Sequence, residues 1–318
     1  MMQFIPPNTN FDFVGIRKPL ILVSSALNVL SLLLLIFWGP KLGIDFAGGS
    51  LVQVRFDEPL QADSIRAALT GVEAGQLDIQ DLGAGGKEFL IRVPLSAENA
   101  EGVNKHLTAA LAEKFGKDKV EVLRVEAVGP RVGQDLRQKA VLAVVFATLM
   151  MAVYISLRFE WRFGVGAAVA LVHDVLIAVG ALLLFGYEFD LTVVPALLTV
   201  VGYSVHDTVI VSDRIRENRR KDRRSSLAQI INQSINETLS RSILTSGTAV
   251  LVVLALFVLG GPVLHGFAFA LLVGFTVGTY SSIFIASPVV LYFERKTTSA
   301  AAERRPGRTA SASPARRS

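Results

Sequence analysis

Cysteine is absent from the 318 residues, which excludes a disulfide framework, a thiolate metal site and thiol catalysis. Charge is scarce. Only 19% of the residues are Asp, Glu, Lys or Arg against 51% hydrophobic ones, and a mean hydropathy of +0.48 is too apolar for a string of soluble domains. Nucleotide signatures are missing as well: Gly48-Gly49 and Gly85-Gly86 precede no Lys-Ser or Lys-Thr, so neither opens a phosphate loop. The formal charge of +5 forms no patch on a folded domain, and no nucleic acid partner is expected.

What the chain does have is apolar length. A bilayer core needs about 20 predominantly apolar residues per helix, and six stretches qualify: 20–38, 140–157, 163–185, 191–212, 242–259 and 266–293. The first exceeds the usual signal-peptide core of about 7 to 15 residues and no small-residue cleavage pattern follows it, so it is expected to remain as an anchor.

Between the first two stretches the pattern changes to that of a soluble domain, over residues 40–138. It reads as strand 50–56, helix 62–70, strand 77–81, strand 88–93, helix 97–115 and strand 119–128, with breaks at Glu58-Pro59, 83–86 and 94–96. That order, βαββαβ, is the ferredoxin-like arrangement. The expected fold is thus an α-helical polytopic membrane protein of six spans with one α+β domain outside the membrane.

Orientation follows from the short loops. Arg17 and Lys18 precede the first span, Arg158 and Arg162 flank the turn between the second and third, seven basic residues fall within 214–224, and five arginines follow residue 303. The turns at 186–190 and 260–265 hold no Lys or Arg. Both termini (1–19 and 294–318) and the basic loop 213–239 are therefore expected in the cytoplasm, and the 40–138 domain outside. Residues 41–139 carry 13 Lys and Arg against 15 Asp and Glu, so the basic excess is a topology signal. The tail beyond residue 300, rich in Ala, Arg, Ser and Pro, reads as disordered and suited to anionic lipid.

A charge at mid-helix costs about 2.5 to 3.5 kcal/mol on insertion scales. His173, Asp174, His206 and Asp207 lie at such positions, and Arg241 opens the fifth span. Asp213, beside Arg214 and Arg216, reads as a wetted helix end. Asp207 follows Pro195 and Gly202, which loosen or kink a membrane helix, and shares a face with Tyr203; Arg241 shares one with Thr245. One reading makes Asp207 a proton-accepting carboxylate balanced by Arg241 when ionised; the other is a permanent structural ion pair or an aspartate that hydrogen-bonds a neighbouring helix. Asp174 reads equally as a second relay carboxylate or a packing residue. The string His-Asp-x-x-Ile-x-Val at 173–179 returns in part at 206–211, a faint internal repeat. Catalysis fits poorly: the Gly-x-Gly-Asp context of intramembrane aspartyl proteases is absent, and a His-Asp phosphohydrolase needs metal ligands in a wet site.

Several motifs in order carry a family resemblance. Gly43-Ile44-Asp45-Phe46-Ala47-Gly48-Gly49 follows the first span, Val128-Gly129-Pro130-Arg131-Val132-Gly133 precedes the second, and Phe159-Glu160-Trp161-Arg162 follows it. Val201-Gly202-Tyr203-Ser204-Val205-His206-Asp207-Thr208, Ser212-Asp213-Arg214-Ile215-Arg216-Glu217-Asn218 and 241–247 complete the set. Together they resemble the SecF subunits of the SecD/SecF family of protein-export membrane proteins. The resemblance implies an RND-like membrane fold in the bacterial inner membrane. It also implies a SecD partner, attachment to the SecYEG channel with YajC as a further neighbour, preprotein substrates, and protons as the coupling ion in place of a cofactor. It places proton conduction on Asp207, Arg241 and Thr245, and the family's glycine motif on Asp45, Gly48 and Gly49, with Gly202 and Tyr203 in the fourth-span motif. His206 stands where asparagine is expected, which implies a His206–Asp207 titrating unit.

Overall fold

The structure, a computed structural model, describes residues 9–70, 77–83, 85–93 and 100–294. The break at 94–96, the start of the helix at 97–99 and the tail from 295 lie outside those residues. The chain opens with α1 (Arg17–Leu33), continued by a π-helical turn (Leu34–Trp38), and a short helix α2 (Ile44–Ala47) that the sequence pattern did not announce. The outer domain follows as β1 (Gly49–Phe56), α3 (Ala62–Ala68), β2 (Asp78–Asp81), β3 (Glu88–Val93), α4 (Ala100–Phe115) and β4 (Val120–Val128). Five long helices complete the chain: α5 (Pro130–Arg158), α6 (Trp161–Leu184), α7 (Val193–Lys221), α8 (Leu227–Leu259) and α9 (Pro262–Ser281). The last runs on through a π turn (Ser282–Ala286) to Glu294.

The four strands form one antiparallel sheet in the order β2-β3-β1-β4, the split arrangement expected of βαββαβ. Alternation in β1 and β3 turns Val52, Val54, Phe56, Phe89, Ile91 and Val93 to one face. There they meet Ile65 and Leu69 of the α3 segment and Leu107 and Leu111 of α4, and this is the domain's own core. The opposite face holds Leu51, Leu90, Arg92, Arg124 and Glu126 and borders a cavity of about 270 Å³ whose other wall is the α6–α7 and α8–α9 turns.

Among the described residues six helices are long and apolar enough to cross a membrane. They extend beyond the apolar runs because helix and bilayer length are separate requirements. α5 starts at Pro130, a residue suited to the first helical position. α7 continues through the basic cluster to Lys221, and α8 starts at Leu227 behind a capping box of Ser226 and Gln229. Pro195 sits in the first turn of α7, where no backbone hydrogen bond is lost, and the helix runs unbroken past Gly202. α6, α7 and α9 form the centre, whereas α1, α5 and α8 turn most of their apolar surface outward. Small residues let the central helices approach: Gly278 of α9 faces Ser204 of α7, and Gly274 faces Val200.

The glycine motif has a geometric cause. Gly48 has φ +78°, and a Cβ there would lie 2.6 Å from Pro130 Cα; Gly49 has φ +145°, with a Cβ placed 2.9 Å from the Val93 carbonyl oxygen. Gly133 closes the same contact from α5, one turn on, against the Gly48 backbone. The chain leaving α2 is thus clamped between β3 and the start of α5. Gly48→Ala is expected to destabilise the protein by about 2 to 3 kcal/mol, from combined strain and overpacking. The comparison in thermal unfolding is Gly102→Ala in α4, where the added methyl meets open space and is neutral or stabilising by about 1 kcal/mol.

Candidate functional site

Two clusters of polar side chains lie between the central helices. In the first, Asp207 of α7 is 2% exposed. Its Oδ2 accepts a hydrogen bond from Ser246 Oγ of α8 at 3.3 Å, and Ser246 in turn accepts from Thr279 Oγ1 of α9 at 2.6 Å. Asp207 Oδ1 is buried without a hydrogen-bond partner among the described residues, as is the Tyr203 hydroxyl, whose ring stacks on Phe275 at 4.0 Å. Tyr203 and Asp207 do share the inward face, one turn apart.

In the second cluster Asp174 of α6 is fully buried, and both its oxygens are used. Oδ1 lies 2.8 Å from His173 Nδ1, while Oδ2 accepts from Ser204 Oγ of α7 at 2.5 Å and Ser281 Oγ of α9 at 2.7 Å. Thr208 Oγ1 donates to the Ser204 carbonyl and meets Ser282 Oγ at 2.9 Å. α9 therefore takes part in both clusters, through Thr279 behind Ser246 at Asp207 and through Ser281 at Asp174.

Two expected pairings are not formed. His206 is exposed on the outer face of α7 although Asp207 beside it is buried, because adjacent positions on a helix diverge by about 100°. The His–Asp contact lies at His173–Asp174 instead. Arg241 is exposed too. It borders a cavity of about 510 Å³ with Arg158, Asp213, Arg214, Glu217 and Glu237, where Arg214 already pairs with Glu217 and Glu237. Ser242 and Ser246 present the inward face of α8, so Arg241 is turned away from Asp207. Thr245 donates its hydroxyl back to the Arg241 carbonyl at 2.9 Å. Asp213 is exposed but is not a helix end, because α7 continues past it to Lys221. Gly202 is exposed on α7 with open space beside it.

Asp45 belongs to a third group of contacts. Its Oδ2 accepts from the Leu191 amide at 3.0 Å, the Gly43 amide donates to the Phe189 carbonyl at 2.8 Å, and the Phe189 amide donates to the Lys41 carbonyl at 2.8 Å. Arg92 of β3 pairs with Glu188. The α6–α7 turn, which joins the helices bearing Asp174 and Asp207, is thus fastened to the outer domain at several points. The serines and threonines of both clusters were missed in the sequence. Their signal was small-residue spacing at i, i+4: Ser204-Thr208, Ser242-Ser246, Gly274-Gly278-Ser282. No group of three or more His, Asp or Glu suited to a metal ion occurs among the described residues.

Six spans, carboxylates buried between the central ones and an α+β domain fastened to the turn joining them make up a multi-pass membrane protein built for transport. The comparisons agree. Residues 107–296 match the family described as "Protein export membrane protein SecD/SecF, C-terminal", and residues 34–60 match the "SecD/SecF GG Motif". The protein translocase subunit SecF of Magnetococcus marinus is 47% identical, covering 96% of this chain and all of that protein. The SecF of Rhodothermus marinus is 44% identical over 94% of this chain and 97% of its own length. The crystal structure of SecDF from Thermus thermophilus, a translocon-associated membrane protein, superposes with a TM-score of 0.82 at 36% identity, covering 92% of this chain. SecDF in its super-membrane-facing form gives 0.70. The chain spans 40% of that longer SecDF chain. This chain belongs to the SecD/SecF family of protein-export membrane proteins.

Proposed function

We propose that the chain works with a SecD partner to draw preproteins outward through the SecYEG channel, driven by proton movement through its membrane helices. The observation that carries this reading is Asp207: a carboxylate buried between three spans, held by one hydroxyl and with its second oxygen unpaired. Buried carboxylates ordinarily have their acceptors paired, as Asp174 does. A group that gains and loses a proton needs a site that is tolerable in both states.

The relay in this reading comprises Asp207, Arg241 and Thr245, with Asp174 as a second carboxylate. His206, on the outer face of α7, is placed to meet a partner helix. Both termini and the basic loop face the cytoplasm of a bacterial inner membrane, and anionic lipid meets the basic tail. The outer domain faces the other side. Its contacts at Asp45, Phe189 and Arg92–Glu188 pass a shift between α6 and α7 to the sheet. The SecDF neighbours support a SecD partner, since this chain spans 40% of theirs. YajC and the channel follow from the family relationship. The chemistry is transport, with the proton as the only coupling species.

The competing reading is a passive scaffold that stabilises SecD or the channel. Proteoliposomes holding the chain with its partner and channel separate the two. Export stimulated by an imposed proton gradient should fall to the unstimulated rate when an ionophore collapses that gradient. Stimulation that survives the ionophore unchanged would establish the scaffold.

A further inference from the structure

The His173–Asp174 pair is built differently from Asp207, and its difference lies in the histidine. Both residues are buried, His173 at 5% exposure and Asp174 at 0%. Three donors meet the Asp174 carboxylate: His173 Nδ1 and the hydroxyls of Ser204 and Ser281. With the carboxylate ionised, the imidazole proton sits on Nδ1 and the lone pair on Nε2. Nε2 is buried and has no hydrogen-bond partner among the described residues.

His173 lines a groove of about 450 Å³ between α1, α6 and the end of the sixth span, with Ser24, Ser25, Asn28 and Tyr292. Asn28 Oδ1 is a second buried acceptor without a donor. The amide cannot simply be reversed, since Asn28 Nδ2 donates to the Ser24 carbonyl at 3.0 Å. Neither acceptor is met by a donor among the described residues. Protonation would turn Nε2 into a donor.

The charge balance agrees. Protonation makes an imidazolium beside the Asp174 carboxylate, so the pair becomes neutral as a whole, whereas an unprotonated pair carries a lone buried negative charge. The groups facing His173 do not compete for that role. α1 offers Ser24, Ser25 and Asn28, and α7 offers Ser204. The sixth span offers Ser281, Tyr292 and Tyr280, whose ring stacks on His173 at 6.3 Å and whose hydroxyl meets Ser24 at 2.8 Å. No Lys, Arg or Glu lines the groove. Ser25, one of its lining residues, is exposed on the lateral surface of the bundle.

We propose that His173 and Asp174 form a second proton-holding site, distinct from Asp207, in which the proton binds His173 Nε2 while Asp174 holds the counter-charge. The purpose of the site rests on the proton-coupled reading above, but its existence is testable with no gradient present. Nitrogen NMR of the full chain, ¹⁵N-labelled at its four histidines and embedded in lipid, reads the tautomer of each ring. His173→Gln identifies the signal. The expected result is Nδ1–H with bare Nε2 at high pH, and Nε2 protonated with Nδ1–H retained on acidification. At the pH where wild-type His173 is half protonated, Asp174→Asn should reduce the protonated fraction about tenfold or more. A ring that carries its neutral proton on Nε2, or stays neutral from pH 9 to pH 5, overturns the proposal. So does titration unchanged in a folded Asp174→Asn. Should that variant fail to fold, the wild-type titration decides alone. If His173 titrates at Nε2 while export by Asp207→Asn keeps its gradient response, the coupling assigned to Asp207 fails and this site stands.

Discussion

Asp207→Asn is expected to fold, to bind its partner and to lose the gradient-dependent part of export. The amide matches the carboxylate in shape, and it meets the same surroundings: Ser246 at one side, a buried, unpartnered position at the other. Asn can accept from Ser246 through its carbonyl, so packing among α7, α8 and α9 is retained. What disappears is the change of charge. A proton moving through the membrane potential supplies about 2.3 kcal/mol per 100 mV, which corresponds to a shift of roughly fifty-fold in a two-state population. Inverting such a population from 1:99 to 99:1 takes about 5.5 kcal/mol. In the proposed cycle one proton would therefore bias the outer domain strongly without locking it, and a pH gradient or a second proton would complete the inversion. Gradient-stimulated export by the variant should fall about tenfold or more, with unstimulated export unchanged.

Arg241→Met carries the second large expected effect, and the structure sharpens it. The side chain is exposed and makes no ion pair among the described residues, so the variant loses no folded-state contact there. Its thermal stability should lie within about 0.5 kcal/mol of wild type. Export should nonetheless lose its gradient response. When Asp207 ionises, a buried charge without a counter-charge is costly, and Arg241 is one residue from Ser242, whose hydroxyl side faces Asp207. In the proposed cycle the arginine stem would swing across that offset when Asp207 ionises; methionine keeps the stem without the charge. Arg241→Lys should restore part of the response. A loss of stability without loss of gradient response would make Arg241 a structural residue of the cytoplasmic cavity.

The legibility of these features in the sequence followed their physical contrast. Six apolar runs stand out because few soluble segments are so long without charge, and the ferredoxin-like order was readable because β1 and β3 alternate strictly under their helices. Asp207 and Asp174 stood out for the same reason, as charges within lipid-length segments. Their hydroxyl partners did not, since serine and threonine are unremarkable in a membrane helix until the neighbouring helix is placed. The His206–Asp207 unit failed on helix geometry: α7 buries the face that takes Asp207 and leaves His206 outside. On α6, packed by α1, α5, α7 and α9, both members of the equivalent dipeptide are enclosed. Arg241 opens the fifth apolar run, but α8 begins at Leu227, and position along the chain says nothing of which way the side chain turns. The short helix α2 and its clamp at Gly48, Gly49 and Gly133 needed the approach of α5, a contact between segments some eighty residues apart.

Proton uptake tests the central claim most directly. Proteoliposomes containing the chain and its SecD partner, without channel or preprotein, are loaded with a pH-sensitive dye and given a membrane potential of about 100 mV, where each proton carries about 2.3 kcal/mol. Wild type should acidify the lumen at a rate that Asp207→Asn lowers about tenfold or more, since the variant cannot cycle a proton at the buried site. Equal rates in the two proteins, with equal amounts of folded complex, would contradict the account and move the proton path away from Asp207.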